Sequence, residues 1–178
     1  MVPKSGHRFS DKTMRKKSIT RSLFAVTLAL VAAFAATPSD AREVVQFVGS
    51  YRPGAIVIIT QRRELYRVLG GGRAVLYPVG VGRAGMAWHG HAYVAAKHLR
   101  PAWTPNPASN VTIPGGSPRN PMGAAALGLD RGNYAIHGTN DPSSVGGFVS
   151  HGCIRMLNED VMELYRSVPI GAEVYVLR

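Results

Sequence analysis

Short apolar segments separated by glycine and proline recur along most of the chain, and they restrict the folds open to it. Segments of this kind are typical of β-strands, because glycine and proline interrupt regular structure and favour turns. We predict strands at GAIVIIT (54–60), ELYRVL (64–69), RAVLYPVGVG (73–82), HAYVAAKH (91–98), ALGL (126–129), YAIHG (134–138) and AEVYVL (172–177). The short links QRR and DRGN predict two hairpins, at 54–69 and at 126–138. The pattern therefore predicts a mainly β fold.

One segment near the C-terminus has the periodicity of an α-helix instead. Its apolar residues recur at helical spacing on one face, at Val161, Leu164, Tyr165 and Val168. Asn158 is predicted to be the N-cap, because an asparagine side chain can accept a hydrogen bond from a free amide of the first turn. Pro169 is predicted to end the helix. The domain should therefore contain one short helix in its C-terminal half.

The first 41 residues have the composition of a secretory signal. A basic region at 4–21 precedes the uncharged segment LFAVTLALVAAFAA (23–36), and small residues follow it. This apolar segment is short for a membrane span, which needs roughly 20 residues. We predict cleavage after Ala41, with cleavage after Ala36 and an uncleaved anchor as alternatives. The protein is thus expected to be exported to the periplasm or cell envelope, with residues 42–178 forming one domain.

The charge of residues 42–178 argues against a nucleic-acid partner. This part of the chain has 14 basic and 8 acidic side chains, so its net positive charge is modest. A nucleic-acid-binding domain would be expected to cluster its basic residues, and no basic run interleaved with aromatic residues is present. A polyanionic cell-envelope surface would suit a domain of this charge.

The longest stretch without periodicity is TPNPASNVTIPGGSPRNP (104–121), which holds five prolines and two glycines. A structureless segment of this length in a small domain is usually a functional lid or a disordered insertion. Its prolines and glycines predict a partly ordered flap.

Cys153, in SHGCIRM (150–156), is the only cysteine of the chain. In an exported protein a single thiol is a reactive group, an intermolecular link or a buried apolar filler. A cysteine nucleophile needs a base that removes its proton and donors for the oxyanion. Two histidines are near in sequence, His151 at two residues and His137 at sixteen residues before the thiol. The residues alone leave open which of them is the base, and whether the thiol reacts at all.

HGTNDPSSVGGFVSHGCIRM (137–156) closely resembles the signature of the L,D-transpeptidases, the YkuD or ErfK/YbiS/YcfS/YnhG family. That signature is a His-Gly pair, a spacer, and Ser-His-Gly-Cys followed by an apolar residue and Arg or Asn, and it is met here in full. The likeness extends upstream through PVGVGRAGMAWHG (78–90) and PGGSPRNPMGAAAL (114–127), and downstream through LNEDVMELYRSVPIGAEVYVL (157–177). It covers essentially all of residues 42–178.

The resemblance implies a β-sandwich-like domain with one short helix, and acyl transfer between peptidoglycan stem peptides. Cys153 corresponds to the nucleophile, which attacks the carbonyl between an L-centre and the terminal D-amino acid of a tetrapeptide donor. His137 corresponds to the general base and Gly138 to the residue whose carbonyl orients its imidazole. The backbone amides of His151, Gly152 and Cys153 correspond to the donors of the oxyanion hole.

Four further residues lie in or near these motifs. Ser150 is expected to be a hydrogen-bonding or substrate-binding residue of the site, or else only a loop residue, and Arg155 to steady the loop or meet a substrate carboxylate. Trp88 and Trp103 are each expected in the core or in the substrate groove, with the core favoured.

We therefore predict a peptidoglycan L,D-transpeptidase that forms wall cross-links or attaches a protein to the wall, and that carbapenems acylate. The alternatives are an L,D-carboxypeptidase or stem-peptide hydrolase with the same acyl-enzyme, and a wall-binding module without activity. The expected partners are stem peptides, with an outer-membrane protein as a further acceptor, and the chain is expected to be a monomer. The spacing of His89, His91 and His98 matches no usual zinc pattern, and the resemblance implies neither metal nor cofactor.

Overall fold

The structure, a computed structural model, describes residues 43–105, 108 and 110–178. The predicted signal peptide at 1–41 lies outside the described residues, as do positions 106, 107 and 109 of the predicted loop. No helix in the described part of the chain is long and apolar enough to cross a membrane.

The described residues form eleven strands, one α-helix and one short 3-10 helix, joined by turns and loops. The strands are β1 (Val44–Gln46), β2 (Ile56–Ile59), β3 (Glu64–Gly70), β4 (Arg73–Pro78), β5 (Val81–Gly82), β6 (Gly90–Leu99), β7 (Ala125–Leu129), β8 (Ala135–His137), β9 (Phe148–Ser150), β10 (Ile154–Arg155) and β11 (Glu173–Leu177). The 3-10 helix is Pro142–Ser144 and the α-helix, α1, is Asn158–Ser167. This content confirms the predicted mainly β fold with one short helix.

Nine of the strands are hydrogen-bonded in the order β1-β4-β3-β2-β11-β6-β7-β8-β10, and β5 pairs separately with β9. The predicted hairpins are confirmed, because β2 with β3 and β7 with β8 are antiparallel neighbours. The long strand β6 joins two portions of the sheet, since its first half pairs with β11 and its second half with β7. The register shifts between Val94 and Ala96, which marks an irregularity between the two halves.

The two portions of the sheet share one hydrophobic core. Its fully buried members include Ile58 from β2, Leu127 from β7 and Ile136 from β8, together with Leu164 from α1. Such burial of large aliphatic side chains stabilises the fold by about 1.5–3 kcal/mol for each residue. The arrangement agrees with the predicted sandwich-like domain, and it leaves the short strands β8 and β10 fixed against a packed interior.

Two local predictions are wrong. The segment 73–82 is not one strand, because β4 ends at Pro78, which has no amide hydrogen to donate, and Gly80 forms a bridge to Arg155. Asn158 is not the N-cap: Leu157 takes that position, and no side chain caps the helix. The Asn158 side chain instead accepts hydrogen bonds from the amides of Ala124 and Thr139 and donates one to the Thr139 carbonyl. Asn158 therefore joins the helix to the two segments that flank it.

The predicted loop at 104–121 is more ordered than its composition suggests. Trp103 and Ile113 pair through two backbone hydrogen bonds at its base. Asn120 is 1% exposed, and its amide group donates to the carbonyls of Pro101, Ile113 and Pro114. One buried side chain thus fixes the start and the end of the loop to each other.

Candidate active site

The register of two short parallel strands places the predicted nucleophile and base on one face of the sheet. Ile154 of β10 lies opposite Ile136 of β8, and Arg155 lies opposite His137. Alternate side chains of a strand point to opposite faces. Ile136 and Ile154 are buried in the core, so His137 and Arg155 face the other way, and so does Cys153, one residue before β10. Residues that are sixteen positions apart in sequence are thereby brought to neighbouring strands.

His137 is the last residue of β8 and is 4% exposed. Its Nδ1 donates a hydrogen bond to the carbonyl oxygen of Gly138 at 2.6 Å, so the neutral ring keeps its lone pair on Nε2. Burial lowers the pKa of His137 from its ordinary 6.5 to about 4, and the charge of Arg155 acts in the same direction. Hydrogen bonds to the backbone of Gly138 and Pro121 oppose this shift. His137 is therefore a neutral proton acceptor at neutral pH.

The Cys153 thiol is half-buried, and its Sγ lies 3.9 Å from the carbonyl oxygen of Asn133. Burial raises the pKa of the thiol above its ordinary value, because a thiolate is poorly solvated there. A hydrogen bond from the Ala135 backbone and the charge of Arg155 lower the pKa by smaller amounts. The thiol is thus protonated at rest, and it needs a base in order to react.

Arg155 acts electrostatically on both His137 and Cys153, and its backbone is hydrogen-bonded to a third segment of the chain. Its amide and carbonyl exchange 2.8 Å hydrogen bonds with Gly80, on the side of β10 away from β8. Its Nε is buried and lacks a hydrogen-bond partner among the residues that the structure describes. The guanidinium charge favours both the thiolate of Cys153 and the neutral form of His137. The predicted contact of Arg155 with a substrate carboxylate stays a prediction.

The segment from Ser150 to Cys153, here called the catalytic loop, is held by its own hydrogen bonds. Ser150 Oγ donates to the Cys153 carbonyl at 2.6 Å and accepts from the Gly152 amide at 3.0 Å. Of the three amides predicted as oxyanion donors, that of Gly152 is consequently already bonded within the loop. The expectation that Ser150 hydrogen-bonds within the site agrees with this geometry.

Gly152 occupies a conformation that a larger residue would not tolerate. Its φ is +122°, outside the regions that residues with a side chain normally adopt, and a Cβ at this position would collide with the ring of Tyr134. Tyr134 stacks on Trp88 with ring centroids 5.1 Å apart, and Trp88 Nε1 donates to the Gly152 carbonyl at 3.0 Å. Trp88 is a core residue, as predicted, and it also anchors the catalytic loop.

The side chain of His151 is exposed and points away from this packed arrangement. Its Nε2 contacts the guanidinium of Arg83, whose backbone amide donates to the Ser150 carbonyl at 3.0 Å. Trp103 is found at the base of the 104–121 loop, where its backbone pairs with Ile113. Its predicted role in binding substrate remains untested.

Sequence reasoning missed three residues that shape the site: Pro121, Tyr134 and Arg83. The carbonyl of Pro121 reaches the imidazole of His137 through the backbone alone, so its side chain gave no signal. Tyr134 and Arg83 contact the catalytic loop across long stretches of sequence. The one available signal was the pair His151-Gly152, because a glycine there allows a neighbouring ring to approach closely.

A buried neutral imidazole and a protonated thiol on adjoining segments have the chemistry for nucleophilic acyl transfer. The imidazole accepts the thiol proton as sulfur attacks a carbonyl, and amides of the catalytic loop can bind the oxyanion that forms.

Comparison with known sequences gives one consistent family. Residues 53–176 match the YkuD family, described as the L,D-transpeptidase catalytic domain. The chain is 34% identical over 139 residues to the probable L,D-transpeptidase ErfK/SrfK of Escherichia coli, covering 71% of this chain and 44% of that protein. It is 37% identical over 132 residues to the putative L,D-transpeptidase YqjB of Bacillus subtilis, covering 70% of this chain and 72% of that protein. The match thus spans less than half the length of the first relative and most of the second.

Solved structures show the same fold at lower identity. The L,D-transpeptidase 3 of Mycobacterium tuberculosis, in complex with a faropenem-derived adduct, aligns with a TM-score of 0.53 and 18% identity, over 70% of this chain and 60% of that chain. A mutant of the L,D-transpeptidase of Enterococcus faecium aligns with a TM-score of 0.58 and 18% identity, over 71% of this chain and 50% of that chain.

Proposed function

The chain belongs to the L,D-transpeptidase catalytic domain family, and from this premise we propose that it transfers an acyl group from a peptidoglycan tetrapeptide stem to an amine acceptor. The observation that carries the proposal is the parallel pairing of β8 with β10, which sets His137 opposite Arg155, two residues after Cys153. The bond from His137 Nδ1 to the Gly138 carbonyl supports it, because this bond leaves Nε2 free to accept a proton.

In the first half of the reaction, Cys153 Sγ attacks the carbonyl between the L-centre and the terminal D-amino acid of the donor. His137 takes the thiol proton and gives it to the departing amine, so the C–N bond breaks as the C–S bond forms. We assign stabilisation of the oxyanion to the backbone amides of His151 and Cys153, because the Gly152 amide is held by Ser150.

In the second half, the amine of the acceptor attacks the thioester. A new C–N bond forms, the C–S bond breaks, and the amine proton passes to His137 and then to the sulfur, which restores the resting state. The low pKa of His137 suits this cycle, because the ring is neutral at the start of each half-reaction. The positive charge of Arg155 assists the departure of the thiolate.

We further propose that the protein acts in the cell envelope. The support is the basic and apolar segment at 1–36, which has the composition of a secretory signal, and the location of the proposed substrate outside the cytoplasm.

The experiment that tests the proposal is mass spectrometry of the intact protein with a carbapenem, followed by incubation with purified muropeptides. One added carbapenem mass is expected for the wild-type protein and none for Cys153→Ala, and the absence of the adduct in the variant would locate it on the single cysteine of the chain. Cross-linked dimers are the expected muropeptide product. Tripeptides without dimers would identify a carboxypeptidase, and turnover retained by Cys153→Ala would contradict a cysteine nucleophile.

A further inference from the structure

A cavity of about 620 Å³ is lined in part by Phe148 of β9, the strand that leads into the catalytic loop, and it is rich in positive charge. We call it the arginine pocket, and its lining includes Gln61, Arg83, His89, Phe148 and Arg178. It lies on the opposite side of β10 from His137, because Gly80 bridges to Arg155 there and β5 continues into Arg83. The pocket therefore lies beyond the edge of β10 that is opposite to β8, the strand that carries the proposed base.

Among the described residues, the side-chain hydrogen-bond partners of the two arginines of the pocket are imidazoles and not carboxylates. Arg83 contacts Nε2 of His151, and Nε of Arg178 donates to Nε2 of His89 at 3.1 Å. A guanidinium only donates hydrogen bonds, so each imidazole accepts through a neutral nitrogen and contributes no negative charge. Within the described residues, neither arginine forms an ion pair with an aspartate or glutamate. A third arginine, Arg63, stacks over the Phe148 ring at 4.9 Å and adds positive charge at the rim.

Two guanidinium groups with unused donors in one cavity are suited to a carboxylate. Each guanidinium has five N–H groups in a planar fork, which matches the two oxygens of a carboxylate. The aromatic ring of Phe148, 50% exposed, gives the same cavity an apolar surface for the chain that carries the carboxylate. The pocket thus has the chemistry for one acidic group on a peptide-sized ligand.

The pocket is coupled to the catalytic loop through Arg83. Its guanidinium contacts the His151 side chain, and its amide donates to the Ser150 carbonyl at 3.0 Å. Cys153 is three residues after Ser150, and three residues span at most about 11 Å. A peptide with its carboxylate in the pocket can therefore reach the thiol with another part of the same molecule.

We infer that the arginine pocket binds a carboxylate of the peptide substrate and that Arg83 and Arg178 discriminate acidic from amidated peptides. The inference rests on the proposed function for the identity of the ligand as a stem peptide. Donor and acceptor stems both carry carboxylates, so either one can supply the group. What is new is the placement of the recognition site on the side of β10 away from the proposed base.

The test uses a tetrapeptide stem with free carboxylates and the same peptide with its carboxylates converted to carboxamides. Both are titrated by calorimetry into the Cys153→Ala protein, alone and combined with Arg83→Gln, Arg83→Lys, Arg178→Gln or Arg73→Gln. Arg73 is the matched control, because it is an exposed arginine of β4, which lies next to the far end of the sheet from β10. Circular dichroism of each variant verifies that it is folded.

We expect the free-carboxylate peptide to bind at least about tenfold more tightly than the carboxamide, as for a charge-assisted bidentate contact. The ratio of the dissociation constants of the carboxamide and the free-carboxylate peptide should fall toward one in Arg83→Gln and Arg178→Gln. It should fall only in part in Arg83→Lys and stay unchanged in Arg73→Gln. Equal binding of the two peptides, or a preference that survives both glutamine replacements, overturns the inference.

Kinetic measurements with Cys153 intact identify the source of the carboxylate. If Arg83→Gln removes the preference for the free carboxylate from the rate of acylation, the pocket binds the donor. If it removes the preference from the rate of transfer, the pocket binds the acceptor. A binding preference that alters neither step contradicts a role with substrate. If the preference is present but no peptide acylates Cys153, the proposed transferase function fails while the carboxylate site stands.

Discussion

His137 and His151 are both near Cys153, one across the sheet and the other along the chain, and their surroundings are opposite. His137 is 4% exposed, ends a strand and is held by the Gly138 carbonyl. His151 is exposed in a loop, and its imidazole contacts the cation Arg83. The bond from Nδ1 to the Gly138 carbonyl leaves Nε2 of His137 able to accept a proton, whereas Nε2 of His151 already accepts a hydrogen bond from a guanidinium. The difference supports the proposal that the general base is the histidine more distant in sequence.

The largest effect is expected from His137→Ala. Without a proton acceptor Cys153 stays a thiol, so the rate of carbapenem acylation should fall by roughly 10²–10⁴-fold, the usual contribution of a general base. Stopped-flow acylation measures this loss, and the exposed His98→Ala is the matched control that should keep the wild-type rate. A loss of less than about tenfold would show that His137 does not activate the thiol.

A smaller effect is expected from Gly152→Ala, which changes the backbone of the catalytic loop. The added Cβ is strained at φ +122° and meets the Tyr134 ring, so the loop must shift and the oxyanion amides move with it. Strain of about 1–3 kcal/mol corresponds to a loss of acylation rate of about 5- to 160-fold. Gly54→Ala is the control, because its φ is also positive but nothing lies near its Cβ. Equal rates in the two variants would contradict a rigid loop.

The smallest effect is expected from His151→Ala. Its backbone amide survives the mutation, and the exposed contact with Arg83 is worth about 0.2–1 kcal/mol, as for other exposed charged contacts. The acylation rate should therefore change by no more than about fivefold. A loss comparable to that of His137→Ala would remove the distinction between the two histidines.

Local sequence patterns predicted the longer strands and the candidate nucleophile. The apolar runs gave β2, β3 and β7, and the single thiol with its flanking histidines gave the candidate nucleophile and bases. The strand β10 has only two residues, Ile154 and Arg155, which is too short for any periodicity. Yet its parallel pairing with β8 positions the whole site, and such pairing depends on residues far apart in sequence.

Contacts made by the backbone or across the fold were likewise hidden from the sequence. Pro121 acts on His137 through a carbonyl, which every residue possesses. Asparagine is a common N-cap residue, which is why Asn158 was predicted to cap the helix. Its side chain instead accepts hydrogen bonds from the amides of Ala124 and Thr139, which folding brings close to it. Arg83 belongs to no sequence motif that would predict its contact with His151, because that contact forms only when β5 lies beside β9.

The most direct test of the central claim is the pH dependence of carbapenem acylation in the wild type and in the two histidine variants. Protonation of His137 removes its ability to accept the thiol proton, and burial lowers its pKa to about 4. The wild-type rate should therefore hold as the pH falls from about 8 to about 5 and then decline with a midpoint near that pKa. His151→Ala should retain this acid limb, and His137→Ala should lose it along with most of the rate. An acid limb that persists in His137→Ala and disappears in His151→Ala would contradict the account and make the nearer histidine the base.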